Sequence, residues 1–109
     1  MGLKRGDLVI VSAPGSYGKP RPSVVIQSDL FNWNGSLAVL LMTSHVKSDI
    51  PLIRHTIHPC DANGLISPTD VMIDKIFTIP RDRMGKRIGR LTSSEIREIT
   101  ATLALFSGM

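Results

Sequence analysis

At 109 residues, with 42% hydrophobic and 20% charged side chains, the chain has the make-up of a single folded domain (residues 1–109) and is long enough to bury a core. No apolar run approaches the roughly 20 residues of a membrane-spanning helix, no apolar leader opens the sequence, and Cys60 is the only cysteine, so an internal disulfide is excluded and a cytoplasmic protein with no membrane partner is expected. The net charge of +4 is uneven: residues 75–90 hold six basic side chains and one acidic, the remainder seven and eight, which points to a polyanion such as nucleic acid, or more plainly to a solvated basic loop.

Leu8–Ser12 and Ser23–Ser28 read as the first two strands. Between them runs Gly15-Ser16-Tyr17-Gly18-Lys19-Pro20-Arg21-Pro22, a loop by its Gly and Pro content, in which Pro22 can begin a strand but not continue one inside a sheet. Prolines follow both Lys19 and Arg21 and push these residues toward extended geometry. Arg21 is thus a stiffened guanidinium at the mouth of a sheet, suited to a phosphate or a carboxylate.

Asp29–Ser36 is a loop around the turn signal Asn32-Trp33-Asn34-Gly35. Leu37–Thr43 is a continuous apolar run of strand length, as for a strand buried on both faces. Leu52–His58 alternates, with Leu52, Arg54, Thr56 and His58 on one face. Asp61-Ala62-Asn63-Gly64 is a turn, and Val71–Ile73 and Ile76–Ile79 are two short strands interrupted near Asp74-Lys75. The period then becomes helical. Thr92-Ser93-Ser94-Glu95 is a capping box, Ile96, Ile99, Leu103 and Phe106 form an apolar stripe, and Gly108 offers a stop. The fold class expected is mainly β (α+β): a small barrel of five to seven short strands with a C-terminal helix.

Several chemistries find no support. His55, His58 and Cys60 are close in sequence, but His55 points away from the other two on a strand and no second cluster completes a zinc site. No metal site and no cofactor is expected. GxSxG, GxGxxG and GxxxxGK[ST] motifs are absent from the sequence. What remains is Arg21, the polar strand end Thr43-Ser44-His45, and Asp74 behind an apolar strand. Together these are a rigid cation, two hydroxyls and a carboxylate.

Arg5-Gly6-Asp7-Leu8-Val9-Ile10-Val11 and Gly18-Lys19-Pro20-Arg21-Pro22-Ser23-Val24-Val25-Ile26 resemble the opening of the MazF/PemK toxins of bacterial toxin–antitoxin systems. The resemblance continues through Leu40-Leu41-Met42-Thr43-Ser44, Gly64-Leu65, Val71-Met72-Ile73-Asp74-Lys75-Ile76, Gly89-Arg90-Leu91 and the final helix. It implies an SH3-like barrel, a homodimer, and a metal-independent endoribonuclease that cuts single-stranded RNA at a short sequence. It also implies an antitoxin partner whose disordered tail covers the RNA site. By resemblance, Arg21 and Thr43 stand at the scissile phosphate, Ser44 assists, and Asp74 matches a carboxylate that serves as base in some relatives. The histidine that some relatives carry in the first loop and the arginine two residues before the aspartate have no counterpart, since Ser16-Tyr17-Gly18 and Met72 stand there. The general acid is left open among Lys19, Lys75, Arg81 and a water.

Tyr17, Lys19, Ser44, Lys75, Arg81 and Arg83 are the residues expected to bind RNA. Phe31 and Trp33 are loop aromatics that either stack on unpaired bases or pack in a core or dimer contact. Two other readings use the same barrel: a toxin that cuts nothing and poisons DNA gyrase by binding it, and an inert adaptor. The pairing of Arg21 with Thr43 favours the first reading, since a pure binder has no need of a catalytic set.

Overall fold

The apolar run expected at the centre of the sheet is there. In the computed structural model, which describes residues 2–12, 19–47, 49 and 52–109, Ser36–Thr43 forms strand β3 with Val39–Met42 fully buried. The other strands are β1 (Asp7–Val11), β2 (Arg21–Val25), β4 (Arg54–Ile57), β5 (Thr69–Pro80) and β6 (Met84–Arg90), followed by helix α1 (Ser93–Phe106). Among the described residues they make one antiparallel sheet in the order β4-β5-β3-β2-β1-β6. The expected class, mainly β with a C-terminal helix, is the one observed. The barrel is not closed by hydrogen bonds, because β4 and β6 are the two edges of the sheet.

Both faces of the sheet are packed. On one, Leu8, Val24, Leu40, Met42, Ile57, Val71 and Ile73 meet Leu91 and Ile99, with Ile96 and Leu103 of α1 against them. On the other, Val9, Val11, Val25, Leu37, Val39, Leu41, Met72 and Ile79 form a second cluster. Alternate residues of β3 enter the two clusters, which is why its sequence shows no polar face. Burial of apolar area at ~25 cal/mol per Å² is the driving term for both.

The helix begins as expected. Thr92 Oγ1 accepts from the Glu95 N–H at 3.1 Å, and Glu95 Oε1 accepts from the Thr92 N–H at 2.9 Å. Phe106 at its end is half exposed, so the buried stripe stops short of it.

Three expectations change. β5 is one strand of twelve residues, where two short strands were expected. The discontinuity at Asp74-Lys75 is real in another form. β3 pairs Leu40 with Ile76 and Met42 with Val71, so β5 slips against β3 across 72–75 while remaining extended. Second, the basic segment is a strand: Met84–Arg90 pairs with β1. Its two glycines and three charged residues hid it from propensity. Third, β2 starts at Arg21, so the guanidinium belongs to the sheet and not to the loop before it.

The gap between the sheet's edges is covered by the turn at 61–64. Arg90 N–H donates to the Ala62 carbonyl at 2.8 Å, and Gly64, at φ +69°, lies so close to the Ile88 carbonyl that a Cβ would overlap it. Gly89 meets the Asn63 backbone just as closely. Glycine at both positions lets two backbones touch where no ladder forms.

Candidate functional site

Pro22 faces Ile10 of β1, but β2 pairs with β3 only from Ser23, opposite Leu41. Proline's missing N–H is therefore placed where that side of β2 has no ladder partner. Arg21 precedes it, beyond the end of the β2–β3 ladder. Thr43 is the last residue of β3 and is nearly buried. Its Oγ1 accepts from the His45 N–H at 3.1 Å, which fixes the turn at Ser44 and leaves the hydroxyl proton as a donor.

Arg21 and Thr43 form a ridge between two clefts. The first, of about 490 Å³, is apolar on one side through Ile10, Met42, Leu65, Ile66 and Ile88, and polar on the other through Lys19, Ser44, Ser67 and Thr69. The second, of about 370 Å³, adds His45, Lys47, Arg54, Met72 and Lys75 to the two ridge residues. Among the described residues no carboxylate lines either cleft. Arg21 Nε is buried and has no hydrogen-bond partner among the described residues. An unsatisfied buried donor is costly, by about 1–3 kcal/mol, and calls for an explanation. An anion bound on the ridge would satisfy it.

Behind the second cleft stands a fully buried carboxylate that sequence reasoning did not single out. Asp70 lies opposite Thr43 on one side and Thr56 on the other. Its oxygens accept from Thr56 Oγ1 at 2.5 Å, the Lys47 N–H at 2.9 Å and Arg54 Nη1 at 3.3 Å. Burial pushes this carboxyl up, but the three hydrogen bonds and the Arg54 charge outweigh it and hold the group below the usual carboxylate range. Arg54 Nη1 also donates to the His45 carbonyl at 3.1 Å. Asp70 thereby fixes Arg54, Lys47 and the end of β3. The polar face of 52–58 was the visible signal for Arg54; its partner came from β5, 16 residues away.

The expected site residues divide. Arg21, Thr43, Lys19 and Ser44 line the first cleft, and Lys75 lines the second. Asp74 lines neither cleft; its Oδ2 holds Lys75 Nζ at 2.9 Å. Arg81 is engaged elsewhere, with Nε and Nη2 each 2.5 Å from the Asn34 and Asn32 carbonyls, so it holds the turn at 32–35. Arg83 is exposed in the single 3-10 turn at 81–83 and lines neither cleft. Tyr17 lies outside the described residues. Phe31 and Trp33 are exposed, with ring centroids 6.4 Å apart, and line neither cleft. Of the candidate metal residues, His55 Nε2 stands 3.5 Å from Glu98 Oε1 and Cys60 is exposed.

Comparison with known proteins places this geometry. Residues 4–107 match the family model described as PemK-like, MazF-like toxin of type II toxin–antitoxin system. The chain is 38% identical over 108 residues to "Probable endoribonuclease MazF" of Mycolicibacterium smegmatis, covering 98% of each chain. In fold it is similar to an endoribonuclease in complex with its cognate antitoxin from a mycobacterial species, at a TM-score of 0.80 and 20% identity over 97% of this chain and 95% of that one. It is also similar to the Mycobacterium tuberculosis toxin MazF-mt6, at a TM-score of 0.75 and 22% identity over 91% and 93%. A family match across nearly the whole length, on a sheet-and-helix fold that these toxins share, means that this chain belongs to the PemK/MazF toxin family of type II toxin–antitoxin systems.

Proposed function

We propose that this protein is a toxin that cuts single-stranded RNA, mRNA in the cell, at a specific short sequence and without a metal ion, as an endoribonuclease acting in the cytoplasm. The observation that carries the reading is the Arg21–Thr43 ridge, with a buried guanidinium nitrogen that has no partner among the described residues, between an apolar cleft and a cationic one. An RNA chain alternates apolar base faces with phosphates, and the two clefts offer complementary surfaces to both.

RNA carries its own nucleophile. The 2′-hydroxyl attacks the adjacent phosphorus, the bond from phosphorus to the 5′-oxygen breaks, and the products are a 2′,3′-cyclic phosphate and a 5′-hydroxyl. The enzyme must stabilise charge on the phosphorane and move two protons. Arg21 takes the charge, because a guanidinium stays protonated and offers a planar fork. The Thr43 hydroxyl, with Ser44 beside it, orients the phosphate oxygens. Asp74 is the proton acceptor in this reading; it lies outside both clefts and is linked to the second through its ion pair with Lys75, which lines it. Lys19 in the first cleft and Lys75 in the second are the cations assigned to the leaving oxygen.

Two partners complete the proposal. An acidic antitoxin suits the basic clefts, and the mycobacterial structural relative is bound to its cognate antitoxin. A homodimer suits the exposed apolar side chains of Leu30, Phe31, Trp33, Leu105 and Phe106. The test is incubation of purified protein with a long unstructured RNA in excess EDTA, with Arg21→Ala alongside. Discrete fragments with 5′-hydroxyl ends, absent with the variant, are expected. Intact RNA from a folded protein that still arrests growth would replace this reading with that of a toxin that acts by binding.

A further inference from the structure

Strand β6 carries a second cationic site, on the face of the sheet opposite the first cleft. β1 and β6 pair Asp7 with Arg90 and Leu8 with Gly89, and then the register slips so that Val9 faces Arg87. In a regular strand, residues three apart point to opposite faces. The slip sets Arg87 and Arg90 on the same face, that of Asp7 and Val9, while Ile88 turns the other way to line the first cleft. Such irregularities interrupt a ladder in order to re-aim side chains.

Both guanidiniums converge on Asp7, which is 2% exposed. Asp7 Oδ1 accepts from Arg90 Nη1 at 2.9 Å and is ion-paired with Arg87 Nε at 3.3 Å; Oδ2 accepts from the Lys4 backbone N–H at 2.8 Å. One buried carboxylate thus holds two arginines whose side chains remain 49% and 43% exposed. The two terminal nitrogens of Arg87, Nε and Nη2 of Arg90, and the Lys4 ammonium have no partner among the described residues. Gly2, Lys4, Asp7, Arg87 and Arg90 enclose an open depression of about 450 Å³ with two positive charges in excess. Fixed forks with free N–H groups are the geometry that binds a phosphate bidentately.

We infer that Lys4, Arg87 and Arg90 form a second phosphate site, which grips the RNA strand a few nucleotides from the Arg21–Thr43 ridge. The inference rests on the RNA reading above. Its support is continuity. Val11 faces Arg21, and Asp7 is four residues back along β1, roughly 13 Å at ~3.3 Å per residue. The turn at 61–64 covers β6 at Ile88–Arg90 and leaves Lys86 and Arg87 exposed, so RNA leaving the first cleft reaches Arg87 round that end of the strand.

The test compares two substrates once the cut site has been mapped: the shortest oligonucleotide still cut, and the same site extended by eight nucleotides on each side. The variants are Lys4→Gln and the Lys4→Gln/Arg87→Gln pair, both of which keep the Asp7–Arg90 ion pair. The double variant is expected to lose about tenfold in kcat/KM on the extended RNA, through KM, and to cut the short one as wild type does. The slope of log binding constant against log salt for the extended RNA should fall in magnitude by about 0.7, the value for one lost phosphate contact on a single strand. Equal losses on both substrates, or no loss on either, would overturn the second site while leaving the RNA reading intact. Unchanged RNA kinetics with weakened binding of a poly-glutamate peptide would reassign the patch to an acidic protein. Failure of the wild type to cut any RNA would remove the RNA reading and this site with it.

Discussion

Arg21 stands across from Thr43 where the sheet has just stopped pairing. The β2–β3 register runs Val25–Val39, Val24–Leu40, Ser23–Leu41; two more steps set the guanidinium opposite the hydroxyl, and both residues line the same two clefts. Directly opposed residues bring their Cβ atoms to about 5 Å. With no ladder hydrogen bonds between them, the two side chains are free to share an anion.

Arg21→Ala should abolish RNA cleavage and leave the fold in place. Removing one preorganised donor from a reacting centre costs roughly 10²–10³ in rate. Arg21 Nε has no hydrogen-bond partner among the described residues, so thermal unfolding should move little on truncation. A large drop in melting temperature would make the residue structural.

Thr43 separates two roles that one hydroxyl performs. Thr43→Val keeps the shape but removes both the acceptor for the His45 N–H and the donor toward the ridge. A loss of 10–100-fold in cleavage is expected, with Thr43→Ser recovering most of it. If Thr43→Val cleaves as wild type does, the hydroxyl does not orient the phosphate.

Asp70 ties the second cleft to acid stability. Asp70→Ala leaves the Arg54 guanidinium, whose side chain is 15% exposed, without its carboxylate, and should cost about 3–5 kcal/mol. The pH sign follows from the lowered pKa of this carboxyl. The group stabilises the folded state above its unfolded value, near 3.9, and that contribution is lost as pH falls through the lower folded value. Wild type should therefore lose melting temperature more steeply than Asp70→Asn as pH falls below about 4. Parallel curves would show that Asp70 is not the titrating group.

The capping box gives a local control. Thr92→Ala should destabilise by about 1 kcal/mol, or roughly 4–8 °C in melting temperature for a domain of this size, with cleavage at low temperature unchanged. A change in cleavage specificity in this variant would show that α1 communicates with the clefts.

The elements that the sequence announced are those with local causes. α1 was legible because its capping box and apolar stripe lie within one stretch of chain. β3 was legible because a strand buried on both faces must be apolar throughout. β6 was not, since Met84-Gly85-Lys86-Arg87-Ile88-Gly89-Arg90 has no period of its own and is a strand only because β1 lies beside it. The slip of β5 near Asp74-Lys75 showed as a break in the pattern, but whether a break is a loop or a change of pairing partner depends on β3.

The site divides in the same way. Residue chemistry and local stiffness, read from the chain alone, singled out Arg21 between its prolines and the polar end of β3 at Thr43 and Ser44. Which cations gather round them was decided by tertiary pairing. Lys75 joins the second cleft, while Arg81 is consumed by the Asn32 and Asn34 carbonyls and Asp74 stays outside. Lys47, Arg54 and Asp70 come together from three separate segments. A sequence fixes the donors and acceptors a chain can offer; the folded sheet determines which of them satisfy one another, and so which remain free for a ligand.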